Sequence, residues 1–165
     1  MYTQKNPLED FASLGNNKAP YTTKFFIFNP QLKHTTMLKI NSIHHIAIIC
    51  SDYAVSKHFY TEVLGFEIIR EVYRKERDSY KLDLMVNGVY AIELFSFPNP
   101  PKRISQPEAT GLRHLAFEVE SVSETVKHLA SKNIASEPIR IDEFTGKKFT
   151  FIYDPDDLPI EFYEK

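Results

Sequence analysis

Two His-to-Glu intervals of nearly equal length constrain this chain more than any other feature. His45 and Glu93 lie 48 positions apart, and His114 and Glu161 lie 47 apart. Each histidine opens an apolar run of strand type, HIAII at His45 and HLAFEV at His114. Each glutamate sits inside another such run, AIELFSF and PIEFYE, with a helix-like segment in between. A unit written twice folds as two similar modules, each bringing one nitrogen donor and one carboxylate to a corresponding place. Two imidazoles and two carboxylates suit an ion of the Zn²⁺ or Ni²⁺ class, so the expected metal ligands are His45, Glu93, His114 and Glu161. Taken singly, each is an ordinary core histidine or an outward-facing strand glutamate. Four matched positions in two corresponding contexts are not independent accidents. Burying two carboxylates without a cation is also costly.

The unit reads β-α-β-β-β. In INSIHHIAIIC, alternation puts Ile43, His45, Ala47 and Ile49 on one strand face and His44, Ile46, Ile48 and Cys50 on the other. Asp52 is an N-cap, Val55, Phe59 and Val63 form a helical stripe, and Gly65 suits a helix end. Strands follow at FEIIREVYR, SYKLDLMVN and VYAIELFSF, and Asn87-Gly88 marks a two-residue hairpin between the last two. In the second half, GLRHLAFEVE is the strand. Ser121 and Glu124 form a capping box for a helix with Val122, Val126 and Leu129 inward, stopping near Asn133. Shorter strands are expected around 136–141, 147–153 and 158–163, with turns at Thr145-Gly146 and at residues 154–157. Module 1 covers about 41–97 and module 2 about 111–164. The proline-rich stretch at about 98–110 is a linker, because proline blocks both helix and ladder formation. The expected class is α+β, two paired βαβββ modules forming a cupped mixed sheet around a metal site.

A chain of 165 residues suits one domain or two fused modules with a sizeable core. A formal charge of −2 gives no electrostatic reason to expect nucleic acid or an anionic membrane as partner. No apolar stretch approaches the roughly 20 residues of a membrane span. One cysteine excludes an intrachain disulfide framework, in keeping with a cytoplasmic protein. Residues 1–36 are polar and turn-rich, without the apolar core of a signal peptide, and are read as a dispensable extension. TTKFFIFNP within them suits a short strand, and Met37 marks the start of the domain at 37–165. Among the other polar residues, His44 faces away from His45, His58 and His128 face solvent, and His34 falls in the extension. Cys50 is read as a buried structural thiol. Arg74, Lys75, Arg77, Lys102, Arg103, Lys147 and Lys148 are read as mostly solvated, with a few of them available to an anionic group.

From about Leu38 to Lys165 the chain resembles the vicinal oxygen chelate superfamily, the group of glyoxalase I, fosfomycin-resistance, bleomycin-resistance and extradiol dioxygenase proteins. HHIAIICSDYAVSKHFYTEVLGFE, VYAIELFSF, GLRHLAFEVESV and FIYDPDDLPIEFYE carry the resemblance, which is strongest to small bacterial glyoxalase-like members with RDSYKLDL and ELFSFPNPP stretches. The resemblance implies a divalent ion, Zn or Ni first and Fe, Mn or Co after, held by His45, Glu93, His114 and Glu161. It implies a homodimer, with the site built within one chain or between two. It also implies a lactoylglutathione lyase-like lyase or isomerase acting on a small α-oxygenated carbonyl compound, such as a thiol adduct of a 2-oxoaldehyde. The reaction is proton abstraction with enediolate stabilisation. Glu161 is the base by analogy, Glu93 assists proton return, and Phe95, Phe97, Phe149, Phe151 and Tyr163 form an apolar wall. Glyoxalase I enzymes usually carry an arginine four residues after the first ligand histidine and an asparagine four after the first ligand glutamate, both holding glutathione. Here those places are Ile49 and Phe97, which argues against glutathione recognition. The alternatives are extradiol ring cleavage, against which Glu93 speaks as a fourth ligand, a thiol transferase opening an epoxide, and a non-catalytic drug-binding protein of the bleomycin-resistance type.

Overall fold

Alternation decides which side of each strand is buried. A computed structural model describes residues 38–165; the readings placed on residues 1–36, including His34 and TTKFFIFNP, and on Met37 lie outside the described residues. Strand β1 is Ile46–Cys50, with Ile48 and Cys50 buried and Ala47 and Ile49 exposed. Helix α1, Tyr53–His58, starts where the Asp52 carboxylate accepts the Val55 N–H at 3.0 Å. It continues as a π-helical turn over Phe59–Val63. The buried stripe keeps i, i+3, i+4, i+7 spacing but is centred one position later than Val55. Ser56, Phe59, Tyr60 and Val63 are the buried positions, and Val55 turns outward at 51% exposure.

Strands β2 (Glu67–Arg74), β3 (Ser79–Val86) and β4 (Val89–Ser96) follow. Asn87 and Gly88 both take positive φ, 46° and 77°, as the two central residues of a type I′ hairpin must. The second module repeats the order with β5 (Leu115–Val119), α2 (Val122–Ser131), β6 (Arg140–Ile141), β7 (Lys148–Tyr153) and β8 (Pro159–Glu164). Ser121 caps α2 through the Glu124 N–H, and Val122 and Leu129 are buried while Val126 is half-buried. Strand β6 is shorter than the 136–141 expected. Pro138 brings no N–H to the ladder, and Glu137 instead bonds β7 irregularly, through its N–H to Phe151 and its carbonyl to the Thr150 hydroxyl. Residues 98–110 form no strand or helix.

The two sheets have the same order, β1-β4-β3-β2 and β5-β8-β7-β6. In each, the first pair is parallel and the others antiparallel, so the class is α+β with two mixed four-stranded sheets. Residues Asn41–Lys165 make one compact unit with one core, in which Leu82, Leu84, Ile92 and Leu94 join Leu129, Ile152, Ile160 and Phe162. Two contacts tie the modules further: the Phe66 and Phe117 rings meet edge to face, and the Tyr60 hydroxyl donates to Asp154 at 2.8 Å. Among the described residues no helix is long and apolar enough to cross a membrane.

Candidate metal and substrate site

Register places the ligand candidates. In the first sheet Ala47 is the strand partner of Glu93, and in the second Ala116 is the partner of Glu161. Each histidine stands two residues before that alanine, just ahead of its strand. The burial pattern also repeats: Ile92 and Leu94 flank Glu93 on the core side, as Ile160 and Phe162 flank Glu161. Both glutamates therefore stand on the open face of their sheet, and both side chains are 13% exposed. His45 Nε2 faces Glu93 Oε2 at 3.4 Å, and His114 Nε2 faces Glu161 Oε2 at 3.0 Å.

The four residues come together as two pairs and not as one cage. Among the described residues, no group of three or more His, Cys, Asp or Glu side chains gathers to hold an ion. Each pair nevertheless fits half of a divalent ion's shell, one imidazole beside one carboxylate. In His114, Nε2 is the nitrogen directed at the carboxylate, while Nδ1 is buried without a hydrogen-bond partner among the described residues. His44 differs from its expected placement. Strand geometry begins only at Ile46, so alternation does not separate the two rings, and His44 Nδ1 meets His45 Nδ1 at 2.8 Å. That contact orients the His45 ring and leaves its Nε2 directed at Glu93.

The surroundings of the two pairs differ. Lys81 contacts Glu93 Oε1 at 2.5 Å and Asp83 at 2.6 Å, and the Tyr90 hydroxyl also donates to Glu93. Burial pushes the Glu93 carboxyl up, but the bonds from Lys81 and Tyr90 outweigh it and hold it below the usual carboxylate range. The Tyr90 hydroxyl is pushed up to about 12 by burial and by its bond to Glu93. Asp83 is buried and bound also by Arg70, at 2.7 and 3.0 Å. Lys81, Asp83 and Arg70 escaped the sequence reading. The signal was present in Ser79–Val86, where Lys81 and Asp83 alternate with the buried Leu82 and Leu84 and so share the face of Glu93.

Around the second pair the strand positions are aromatic. Phe151 is the partner of Glu161 and Phe149 that of Tyr163. The His114 ring meets Phe151 edge to face at 5.4 Å, and the Arg140 guanidinium lies over both phenylalanines. A cavity of about 410 Å³ opens here, lined by His114, Glu161, Phe149, Phe151, Arg113 and Arg140 among others. Among the described residues, no lysine, arginine or tyrosine bonds Glu161. Phe95 and Phe97 stack at 6.1 Å on the first sheet. Ile49 is exposed beside a second cavity of about 580 Å³ against the linker. His58 and His128 are exposed, and Cys50 is buried, its thiol pushed up to about 11 chiefly by that burial.

Comparison with known proteins identifies the family and the fold. The family model described as the Glyoxalase/Bleomycin resistance protein/Dioxygenase superfamily matches residues 42–162. YwkD of Bacillus subtilis strain 168 is 63% identical over 126 residues, 76% of this chain and 98% of that protein. A crystal structure of a glyoxalase family protein from Enterococcus faecalis is 49% identical, with a TM-score of 0.69 over 74% of this chain and 97% of that one. The fold alone is shared with FosX, a fosfomycin resistance protein from Listeria monocytogenes seen with Mn(II) and sulfate. That chain is 18% identical, with a TM-score of 0.59 over 77% of this chain and 94% of its own.

Proposed function

The chain belongs to the glyoxalase/bleomycin resistance protein/dioxygenase superfamily, and from that membership we propose that it is a metal-dependent lyase or isomerase of a small α-oxygenated carbonyl compound. One observation carries the reading: a His/Glu pair recurs on the open face of both sheets at the same register, set by Ala47–Glu93 and Ala116–Glu161. One pair is half a ligand set. The pairs stay separate within one chain, so a complete set forms when the His45/Glu93 pair of one copy meets the His114/Glu161 pair of a second. The working unit is thus a homodimer with two equivalent sites.

When bound, a divalent ion supplies a Lewis acid for two neighbouring substrate oxygens. The residues around it divide the remaining work. Glu93, fixed by Lys81 and Tyr90, keeps one carboxylate oxygen toward His45 and acts as an immobile ligand. Glu161, free of such donors, has the latitude to swing and take the proton from the carbon beside the carbonyl. Phe149 and Phe151 exclude water from that carbon. Substrate recognition differs from that of glutathione-dependent relatives, since Ile49 and Phe97 offer neither a cation nor an amide.

Metal content and subunit mixing test the reading. Protein purified without added metal is expected to carry about one ion per chain by elemental analysis, set by the four-ligand count. His45→Ala and His114→Ala should each lose the ion. Refolded together, the two variants should recover one ion per mixed dimer, because one of its two sites then has no lesion. No recovery on mixing would place the site within a single chain. A wild-type protein free of metal would overturn the proposal.

A further inference from the structure

The open face of the first sheet holds one more positive charge than its carboxylates balance. Arg70 and Lys81 both bind Asp83, and Lys81 also binds Glu93. Two cations and two carboxylates cancel there. Arg74 is left over. Among the described residues, no carboxylate lies within ion-pair distance of it. Its NH2 group donates to the Ser79 hydroxyl at 2.5 Å, and its Nε is buried with no partner. The guanidinium carbon lies over the Phe95 ring at 4.8 Å and the Phe97 ring at 5.4 Å. Phe95 is two positions beyond Glu93 on β4 and therefore on the same face. Arg140 over Phe149 and Phe151 looks like its counterpart in the second module, but Glu137 bonds that arginine at 2.9 Å. Among the described residues, Arg74 is the half-buried arginine whose charge no carboxylate answers.

We propose that Arg74 binds an oxyanion on the substrate, a carboxylate or a phosphonate, carried on a short tail away from the reacting carbon. This inference rests on the metal-dependent reading of the same site. An arginine fork recognises such a group with two parallel hydrogen bonds, and among the described residues only one nitrogen of the Arg74 guanidinium has a partner, the Ser79 hydroxyl, so the fork keeps unused donors. The aromatic platform below holds the guanidinium in place by cation–π attraction and partly desolvates it. With about 3.4 Å per strand residue, Arg74 sits roughly 7–14 Å along β4 from Glu93. The tail is therefore a few bonds long. The substrate is a compact acid, and Phe97, where relatives using glutathione carry an amide, serves as the floor beneath Arg74.

The test uses hydroxamates, which present two vicinal oxygens to an ion. Mn(II)-loaded protein is titrated by calorimetry with neutral n-alkyl hydroxamates and with hydroxamates ending in carboxylate or phosphonate, over tails of two to six methylenes. The charged ligands should bind at least about tenfold more tightly than neutral ones of equal length, with one optimal length, as expected of an added charge-assisted pair. Whichever terminal group gains more identifies the oxyanion. Arg74→Gln should abolish the advantage and Arg74→Lys should keep part of it, while binding of the neutral hydroxamate certifies that each variant is folded. A purely structural Arg74 would alter both ligand types together, and that result overturns the inference. Equal binding of neutral and charged ligands to the wild type overturns it while sparing the metal reading. Failure of every hydroxamate to bind removes both.

Discussion

Glu93 and Glu161 occupy one register position in two copies of the same unit, yet their neighbours have little in common. Across from Glu93 stands Asp83, with Lys81 and Tyr90 bonding the glutamate; across from Glu161 stands Phe151, with Phe149 beside it. The core faces diverge far less, since Ile92 and Leu94 in one sheet answer Ile160 and Phe162 in the other. Packing thus keeps the duplicated backbone in register, while the open faces are free to differ. The first module ties its carboxylate to Lys81 and Tyr90, and the second sets its carboxylate against an apolar wall with no such donor among the described residues. A reaction that needs both a rigid ligand and a movable base can draw the two from one repeated motif.

The sharpest way to break this comparison is to make the same change on both sides. Glu161→Gln should lower turnover of methylglyoxal–thiol adducts by about 10²–10⁴-fold, the scale of a lost general base. It should also retain more bound ion than Glu93→Gln, because in the proposed division Glu93 is the fixed ligand whereas Glu161 swings away to take the proton. Glu93→Gln should chiefly lower the ion content and disturb the bonds from Lys81 and Tyr90. Measured metal content and rate for the two variants would then separate. Identical losses in both quantities would show that the carboxylates are equivalent and the division of labour is wrong.

The core offers the opposite control. Ile92 and Ile160 are 1% and 0% exposed and precede the two glutamates in their strands. Truncation of either to alanine removes a buried side chain from the shared core and should cost about 2–5 kcal/mol by denaturant unfolding. The costs should be similar in the two modules and should appear in a single cooperative transition. Two separated transitions would mean that the modules unfold independently and that the common core carries little of the stability.

Much of this was legible in the chain because periodicity and turn chemistry are local. The duplicated strand-helix-strand order, the Asp52 and Ser121 caps, and the Asn87-Gly88 hairpin all follow from neighbours within a few residues. The four ligand candidates were legible through the repeat. What stayed hidden depends on contacts across strands or on departures from ideal geometry. Val55 falls outside the buried stripe, which runs through Ser56, Phe59, Tyr60 and Val63 because the helix docks one position round from the expected face. His44 sits beside His45 because the strand starts at Ile46, beyond both histidines, and not at Ile43 as the alternation assumed. Arg74, read as mostly solvated, is half-buried because Ser79 and two phenylalanine rings enclose it. Separation of the four ligand candidates into pairs is also invisible in sequence, since equal spacing fixes their positions in each module but not the distance between the pairs.

The turns that close the last hairpin of each module give the final contrast. Asn87-Gly88 is tight and exposed, whereas the β7–β8 turn reaches the first module's helix through Asp154, which accepts the Tyr60 hydroxyl and the N–H groups of Asp156 and Leu158. Burial raises the Asp154 carboxyl above its ordinary value despite those three donors, and the Tyr60 hydroxyl is raised as well, chiefly by burial. Tyr60→Phe removes one donor to a buried carboxylate and should cost about 1.5–3 kcal/mol. The pH dependence follows from the direction of the shift. A carboxyl with a raised folded pKa binds more protons in the folded state, so its contribution is most favourable at low pH and diminishes as pH rises from about 4 through the folded value. The stability of the wild type relative to Asp154→Asn, whose side chain cannot ionise, should therefore fall over that rise. Tyr60→Phe should extend the fall to higher pH, because one of the bonds opposing the shift is gone. Denaturant midpoints from pH 4 to 7 would show it. A difference that is flat across the range would mean that water reaches Asp154, and that the joint between the two modules is looser than its hydrogen bonds imply.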